Sequence, residues 1–267
     1  MANDGSSKPL TYSSYLCVDE LLGLQRPLSD GPEHDEMLFI VIHQVYELWF
    51  KQVLHELTYL QRRLEGNDAP EALATLKRVL TILKTLVGQI DVLETMTPVS
   101  FNSFRSRLES ASGFQSGQFR ELEFVLGVRR IGMVHHFPEG TRTRARLQSL
   151  MTEPTLWDSF LRYLVANGHA VPDDVLARDV ERPYQGDPRV QELLVRIYGS
   201  DPILRMVCER LVDLDEGMQE WRYRHVKMVE RTIGAKKGTG GSEGAEYLRQ
   251  TLFHPVFPDL WAIRTRL

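Results

Sequence analysis

An all-α fold is what this sequence predicts: a bundle of long helices with a helical insertion. Three observations predict it. Apolar residues recur at steps of three and four along three long segments, the period of one helix face. The two-residue alternation of a half-buried strand is nearly absent. Each long segment is preceded by residues that start helices. The 267 residues show no repeat and no Gly-, Ser- or Pro-rich linker between halves, so a single domain over 1–267 is expected.

The first helix carries Phe39, His43, Tyr46, Phe50, Val53, Leu57 and Leu60 on one stripe. Ser29, Asp30 and Pro32 precede it, and Glu33, Asp35 and Glu36 place acids near its positive end. The second begins near Asn67, Asp68 and Pro70, with Leu73, Leu76, Leu80, Leu83, Val87 and Ile90 as its stripe. The periodicity weakens between residues 127 and 200. A helical insertion is expected over about 128–200, with Arg142, Arg144 and Arg146 on a solvated edge. The third long helix starts at Asp201-Pro202. Its stripe is Leu204, Val207, Leu211, Leu214, Met218, Trp221, His225 and Met228. The Gly-rich segment 234–244, GAKKGTGGSEG, then supplies a stop.

Composition removes several classes of function. Hydrophobic residues make up 42% and charged residues 25%, an ordinary soluble balance, and the formal net charge is −4. No basic field recruits nucleic acid or an anionic membrane. No apolar run approaches the ~20 residues that span a bilayer. The two cysteines, Cys17 and Cys208, make no metal-binding motif and read as free thiols in a reducing compartment. MANDGSSKPLTYSS has no secretory pattern, so a cytoplasmic protein is expected.

Two residues interrupt the stripes. His43 and His225 each stand where packing calls for a hydrophobe. A buried imidazole needs partners for its nitrogens, so each could be a core histidine bonded to a neighbour. Two on separate long helices could also face each other across a cavity. Phe39, Tyr46, Phe50, Met218, Trp221 and Met228 would surround them, an apolar and roomy setting. That suits a planar hydrophobic cofactor such as haem, with one histidine as axial ligand and, without a CxxCH motif, no covalent attachment. Phe101 and Arg105 stand four apart on one helical face. They are either a core Phe beside a surface Arg, or a flat surface and a carboxylate fork for an amino acid. The Gly-rich segment is either a plain loop or a mobile lid in which Thr239 offers a hydroxyl.

LTYSSYL (10–16), DELLGLQRPLS (19–29), HDEMLFIVIHQVYELWFKQVLHEL (34–57), SGFQSGQFRELEF (112–124), WRYRHVKMVERTIGAKKGTGGSEG (221–244) and FPDLWAIRTRL (257–267) run nearly end to end. Through them the chain resembles the tryptophan 2,3-dioxygenase family, haem enzymes that open the indole ring. The resemblance implies haem b, ferrous when active, held in a buried pocket with His225 as axial ligand to iron; Trp221 and Ser112 lie beside the haem. It implies that His43 meets the indole N–H and that Arg105 grips the substrate carboxylate. Thr239 would close on the amino acid head, and Phe39 and Phe101 would line the indole pocket. Some relatives carry Tyr where Phe101 stands, so a hydroxyl contact is absent here. Tyr12 and Tyr15 resemble residues of an N-terminal segment, 1–20, that reaches a neighbouring subunit's site in a homotetramer with intertwined N-termini. The substrates implied are L-tryptophan and O2, and the product N-formylkynurenine. Glu243 departs from the family's small hydroxyl residue in the lid. That keeps a second reading open, a haem monooxygenase acting on a tryptophan derivative or substituted indole. A third is a haem or tryptophan sensor without turnover.

Overall fold

Two short helices lead into the fold, α1 (Tyr12–Leu16) and α2 (Val18–Leu22). Thr11 and Ser14 cap the first reciprocally, and Cys17 separates the two at φ 52°. The computed structural model describes residues 9–31, 33–236, 238 and 245–267, and every regular element among them is a helix.

The three predicted long helices are α3 (His34–Glu65), α4 (Ala69–Leu93) and the later α12. At α4 the signal works as expected: Asp68 accepts the Glu71 N–H and Pro70 follows it in the first turn. At α3 it works differently. The helix starts at His34 without a side-chain cap, and buried Glu36 reaches back to accept the N–H groups of Leu28 (2.7 Å) and Ser29 (3.1 Å). Tyr46 on α3 donates to the Leu86 carbonyl on α4 at 2.7 Å, and burial pushes its phenol up to about 12, keeping it a donor.

After α4 come α5 (Pro98–Phe104), two 3-10 turns (Arg105–Leu108 and Gly113–Gln115) and α6 (Gly117–Leu126). The insertion is helical: α7 (Ile131–His135), α8 (Arg142–Thr152), α9 (Leu156–Ala166), α10 (Asp173–Leu176) and α11 (Pro188–Ser200). It carries more of the core than its weak periodicity suggests. Trp157, Phe160, Leu161 and Leu164 on α9 are fully buried, and α9 packs on α3. On α8, Arg142 and Arg146 are exposed as expected, while Arg144 is half-buried and bonds the Phe137 carbonyl.

α12 (Pro202–Ile233) begins at Asp201, whose carboxylate accepts the N–H groups of Ile203 and Leu204. It packs along α4, which packs along α3. It ends at Gly234, at φ 60°. α13 (Ala245–Arg249) and α14 (Pro258–Ala262) follow. Two fully buried aspartates fasten this last part. Asp215 on α12 accepts the N–H groups of Val256 (2.7 Å), Phe257 (3.0 Å) and the Trp261 indole (2.9 Å). Asp259 accepts from Asp187 N–H (2.9 Å), Gln191 (2.9 Å) and the Tyr184 hydroxyl (2.5 Å). Buried apolar residues from Ile42 to Ile263 form one continuous core. No helix among the described residues is long and apolar enough to cross a membrane.

Candidate active site

The stripes of α3, α4 and α12 leave a cavity where their apolar faces diverge, with about 1610 Å³ of empty space, mouth included. α5, the 3-10 turns and the start of α6 close one side of it. Phe39, His43, Phe101, Arg105, Ser112, Trp221 and His225 all line this cavity. Two of the predicted site residues, Tyr12 and Tyr15, do not line it. They stand on α1 with 77% and 71% of their surface exposed. Thr239 and Glu243 lie outside the described residues.

His43 faces the cavity with its Nδ1 2.7 Å from the Phe39 carbonyl oxygen of its own helix. A carbonyl only accepts, so Nδ1 carries the proton and donates. Burial lowers the pKa of His43 and keeps the ring neutral, the Phe39 bond and the charge of Glu47 opposing this. Nε2 is then an acceptor, and no described residue bonds it. Phe39 holds the ring from one side at 4.1 Å between centroids, and Phe101 and Phe104 buttress Phe39 at 5.8 and 5.6 Å.

His225 approaches from α12. Trp221, one turn before it, lies 5.1 Å away and within 5° of parallel, which fixes the plane of the imidazole. Phe119 (4.8 Å), Phe50 (6.1 Å) and Tyr46 (6.4 Å) surround Trp221. Burial, with smaller contributions from His43 and Arg120, drives His225 down to about 4. It is neutral at physiological pH and its ring makes no hydrogen bond to a described residue, so it offers a nitrogen lone pair to the cavity.

Arg105 follows α5 and is half-buried at the cavity wall, its N–H bonded to the Phe101 carbonyl. Ser112 caps the second 3-10 turn by accepting the Phe114 N–H at 3.3 Å. Glu47, one turn after His43, pins the start of α6 through Ser116 (2.6 Å) and Gln118 (2.8 Å). The sequence reading missed Glu47, and it missed Arg120, Glu123 and Arg222, which also line the cavity. Their charges read as surface in a periodicity scan; only the fold reveals that Arg120, Glu123 and Arg222 are buried.

A neutral acceptor imidazole, an available imidazole lone pair and aromatic walls thus meet in one cavity of an all-α protein. Comparison with known proteins makes the class specific. The chain belongs to the tryptophan 2,3-dioxygenase family, whose model matches residues 1–155 and 173–267. Tryptophan 2,3-dioxygenase of Herpetosiphon aurantiacus is 60% identical over 261 residues, covering 98% of this chain and 100% of its own. The protein of the same description from Anaeromyxobacter sp. is 61% identical over 263 residues, covering 98% and 97%. That of Caulobacter vibrioides is 42% identical over 265 residues, covering 98% and 100%.

Proposed function

We propose that this protein is a haem-dependent tryptophan 2,3-dioxygenase, converting L-tryptophan and O2 to N-formylkynurenine. The observation that carries it is the single-acceptor state of His43, in one cavity with an uncharged His225 and a flat aromatic lining. Full-length similarity to proteins so named supports it over the monooxygenase and sensor readings.

The residues present fit haem. Among the described residues no group of three or more His, Cys, Asp or Glu could hold a bare metal ion. A single neutral imidazole over an aromatic floor is instead the donor set of a porphyrin-held iron. His225 would ligate that iron, oriented by Trp221. When bound, haem supplies the activation of O2 and the oxidising power that the side chains lack.

The chain's own residues do the rest. His43 Nε2 accepts the indole N–H and so fixes which edge of the ring faces the reacting centre. Indole N–H is a very weak acid, so positioning is its role. Phe39 and Phe101 pack the indole faces, and Arg105 holds the carboxylate with its planar fork. Ser112, on the cavity wall, would lie beside bound haem and substrate. By the family resemblance, Thr239 would meet the substrate's ammonium and carboxylate. Tyr12 and Tyr15, exposed on α1, complete a neighbouring subunit's site in a cytoplasmic homotetramer of single-domain chains.

Turnover of L-tryptophan under ¹⁸O2 tests the proposal. N-formylkynurenine with two labelled atoms is expected. One labelled atom would establish a monooxygenase, and tight tryptophan binding without turnover a sensor.

A further inference from the structure

A second cavity opens between the end of α6, residues 178–185 of the insertion and residues 250–258, with about 1080 Å³ of empty space, mouth included. The proposed chemistry does not use it. Glu123, Arg222 and Thr251 form its partition with the cavity of His43 and His225, and the rest of its wall is its own. Four arginines stand on that wall, Arg129, Arg130, Arg178 and Arg222, against one acid among the described residues, Glu123. Three of the four touch a carboxylate: Arg178 grips Asp158 at 2.7 and 2.8 Å, and Arg130 and Arg222 share Glu123. Arg129 touches none among the described residues.

Arg129 is only 2% exposed and donates to four backbone carbonyls, those of Phe124 (3.2 Å), Met151 (2.9 Å), Val180 (2.6 Å) and Glu153 (2.5 Å). A guanidinium has five N–H groups, so one is left over. Burial drives its pKa down to about 10, with Asp158 opposing, and it stays a cation at neutral pH. Carbonyl dipoles solvate this charge, but no acid in contact matches it. Trp157 supplies an independent observation. Its indole Nε1 is fully buried and makes no hydrogen bond among the described residues. The Tyr184 hydroxyl senses the indole but is committed to Asp259, to which it donates at 2.5 Å. Phe257 and Tyr184, each 5.7 Å away between ring centroids, hold the indole in place. A buried donor left unpaired is costly, so its retention points to an acceptor brought by a ligand.

We propose that this second cavity binds a small organic carboxylate, whose oxygens accept from Trp157 Nε1 and the remaining Arg129 N–H and whose apolar ring rests among Leu126, Val128, Pro255 and Val256. Two donors without acceptors and an unmatched cation line one space, which selects an anion over a neutral or cationic ligand. The apolar part of the wall selects an anion with a body: a bare inorganic ion would leave those side chains facing water. Arg130, with 33% of its side chain exposed, adds positive charge on the side that water reaches. The site is separate from the substrate site proposed above and takes no part in its reaction.

The test uses the full haem-loaded chain, saturated with L-tryptophan under argon so that the cavity of His43 and His225 is filled and no turnover occurs. The probe is 4-fluorobenzoate, followed by fluorine NMR line broadening beside the neutral 4-fluorobenzamide. The wild type should bind the acid and favour it over the amide. Trp157→Phe keeps a ring and removes the N–H. It should weaken the acid roughly 10- to 100-fold, the range of a hydrogen bond to a charged group, and change the amide less. Arg130→Gln leaves Glu123 with Arg120 and Arg222 and should also weaken the acid selectively, which keeps the test open if Trp157→Phe fails to fold. A wild type that does not bind the acid or binds the amide equally well, or acid binding that neither substitution changes, would overturn the proposal. Displacement of the acid by an equal concentration of inorganic phosphate would overturn it too, by showing that the ring contributes nothing. Failure of L-tryptophan to bind would overturn the proposed function and leave this test readable, since neither Trp157 nor Arg130 lines that cavity.

Discussion

Replacing His43 with alanine separates a positioning imidazole from a catalytic base. The structure sets what is lost. Among the described residues the ring's one hydrogen bond runs to the Phe39 carbonyl, which keeps its place in α3, and the ring contact at 4.1 Å leaves Phe39 still braced by Phe101 and Phe104. His43→Ala should therefore fold and keep its haem. What disappears is one acceptor for the indole N–H, worth about 1–3 kcal/mol when the donor is left unpaired. That is a fall of roughly 5- to 150-fold in kcat/KM. Removing a general base costs ~10²–10⁴-fold, so the ranges touch and a second substrate is needed. 1-Methyltryptophan has no N–H, and its methyl would meet the intact imidazole. The wild type should reject it, whereas the alanine variant removes the clash and the demand for a donor. Steady-state kinetics on both substrates should show the ratio of 1-methyltryptophan to tryptophan turnover rising in the variant. If both substrates fall by the same factor, His43 does not face the indole nitrogen.

Four further outcomes are expected. His225→Ala should yield protein with little haem or a displaced Soret band; full haem content and an unchanged ferrous spectrum would remove His225 as the axial ligand. Arg105→Ala should raise KM for tryptophan by the equivalent of about 2–5 kcal/mol, while tryptamine, which lacks the carboxylate, should be poor in the wild type and indifferent to the change. Deleting residues 1–18 should lower activity and loosen the assembly together, read by activity and sedimentation; a fully active truncated monomer would contradict the role given to Tyr12 and Tyr15. The haem-free chain should lose stability in acid: His225 falls from 6.5 unfolded to about 4 folded, so the unfolded chain takes up the proton first. Its contribution is complete above pH 6.5 and declines toward pH 4, by at most about 3 kcal/mol, with His43 adding in the same direction. Urea midpoints measured across that range should show the decline, and His225→Phe should flatten it.

The long helices were legible because burial imposes the 3.6-residue period on them and because Asp68 and Asp201 are caps by chemistry. The start of α3 was not, since Glu36 satisfies backbone donors eight and seven residues upstream, a contact that depends on how the preceding loop folds back. α9 was harder to read because its eleven residues are too few for the run of repeats that marks the three long helices, although Leu156, Trp157, Phe160, Leu161, Tyr163 and Leu164 on it are buried. The same logic divides the site. His43 and His225 stood out as polar residues on apolar stripes, and the cavity joins them. The role of Arg105 came from resemblance, because a half-buried Arg beside a Phe has no distinctive pattern. The buried charges of Arg120, Glu123 and Arg222 join α6 to α12, and no local window contains both partners.

The fastening of Asp215 has a consequence for how the cavity of His43 and His225 is held together. α12 carries His225, yet one oxygen of the Asp215 carboxylate on α12 takes its three donors from residues 256–261, which follow every residue lining that cavity in the sequence. Without them the buried Asp215 charge would keep only the Gln219 amide on its own helix, too little for a dry interior. Residues 256–261 thus act as a clasp on α12, and the seating of His225 depends on a segment that lines none of its cavity.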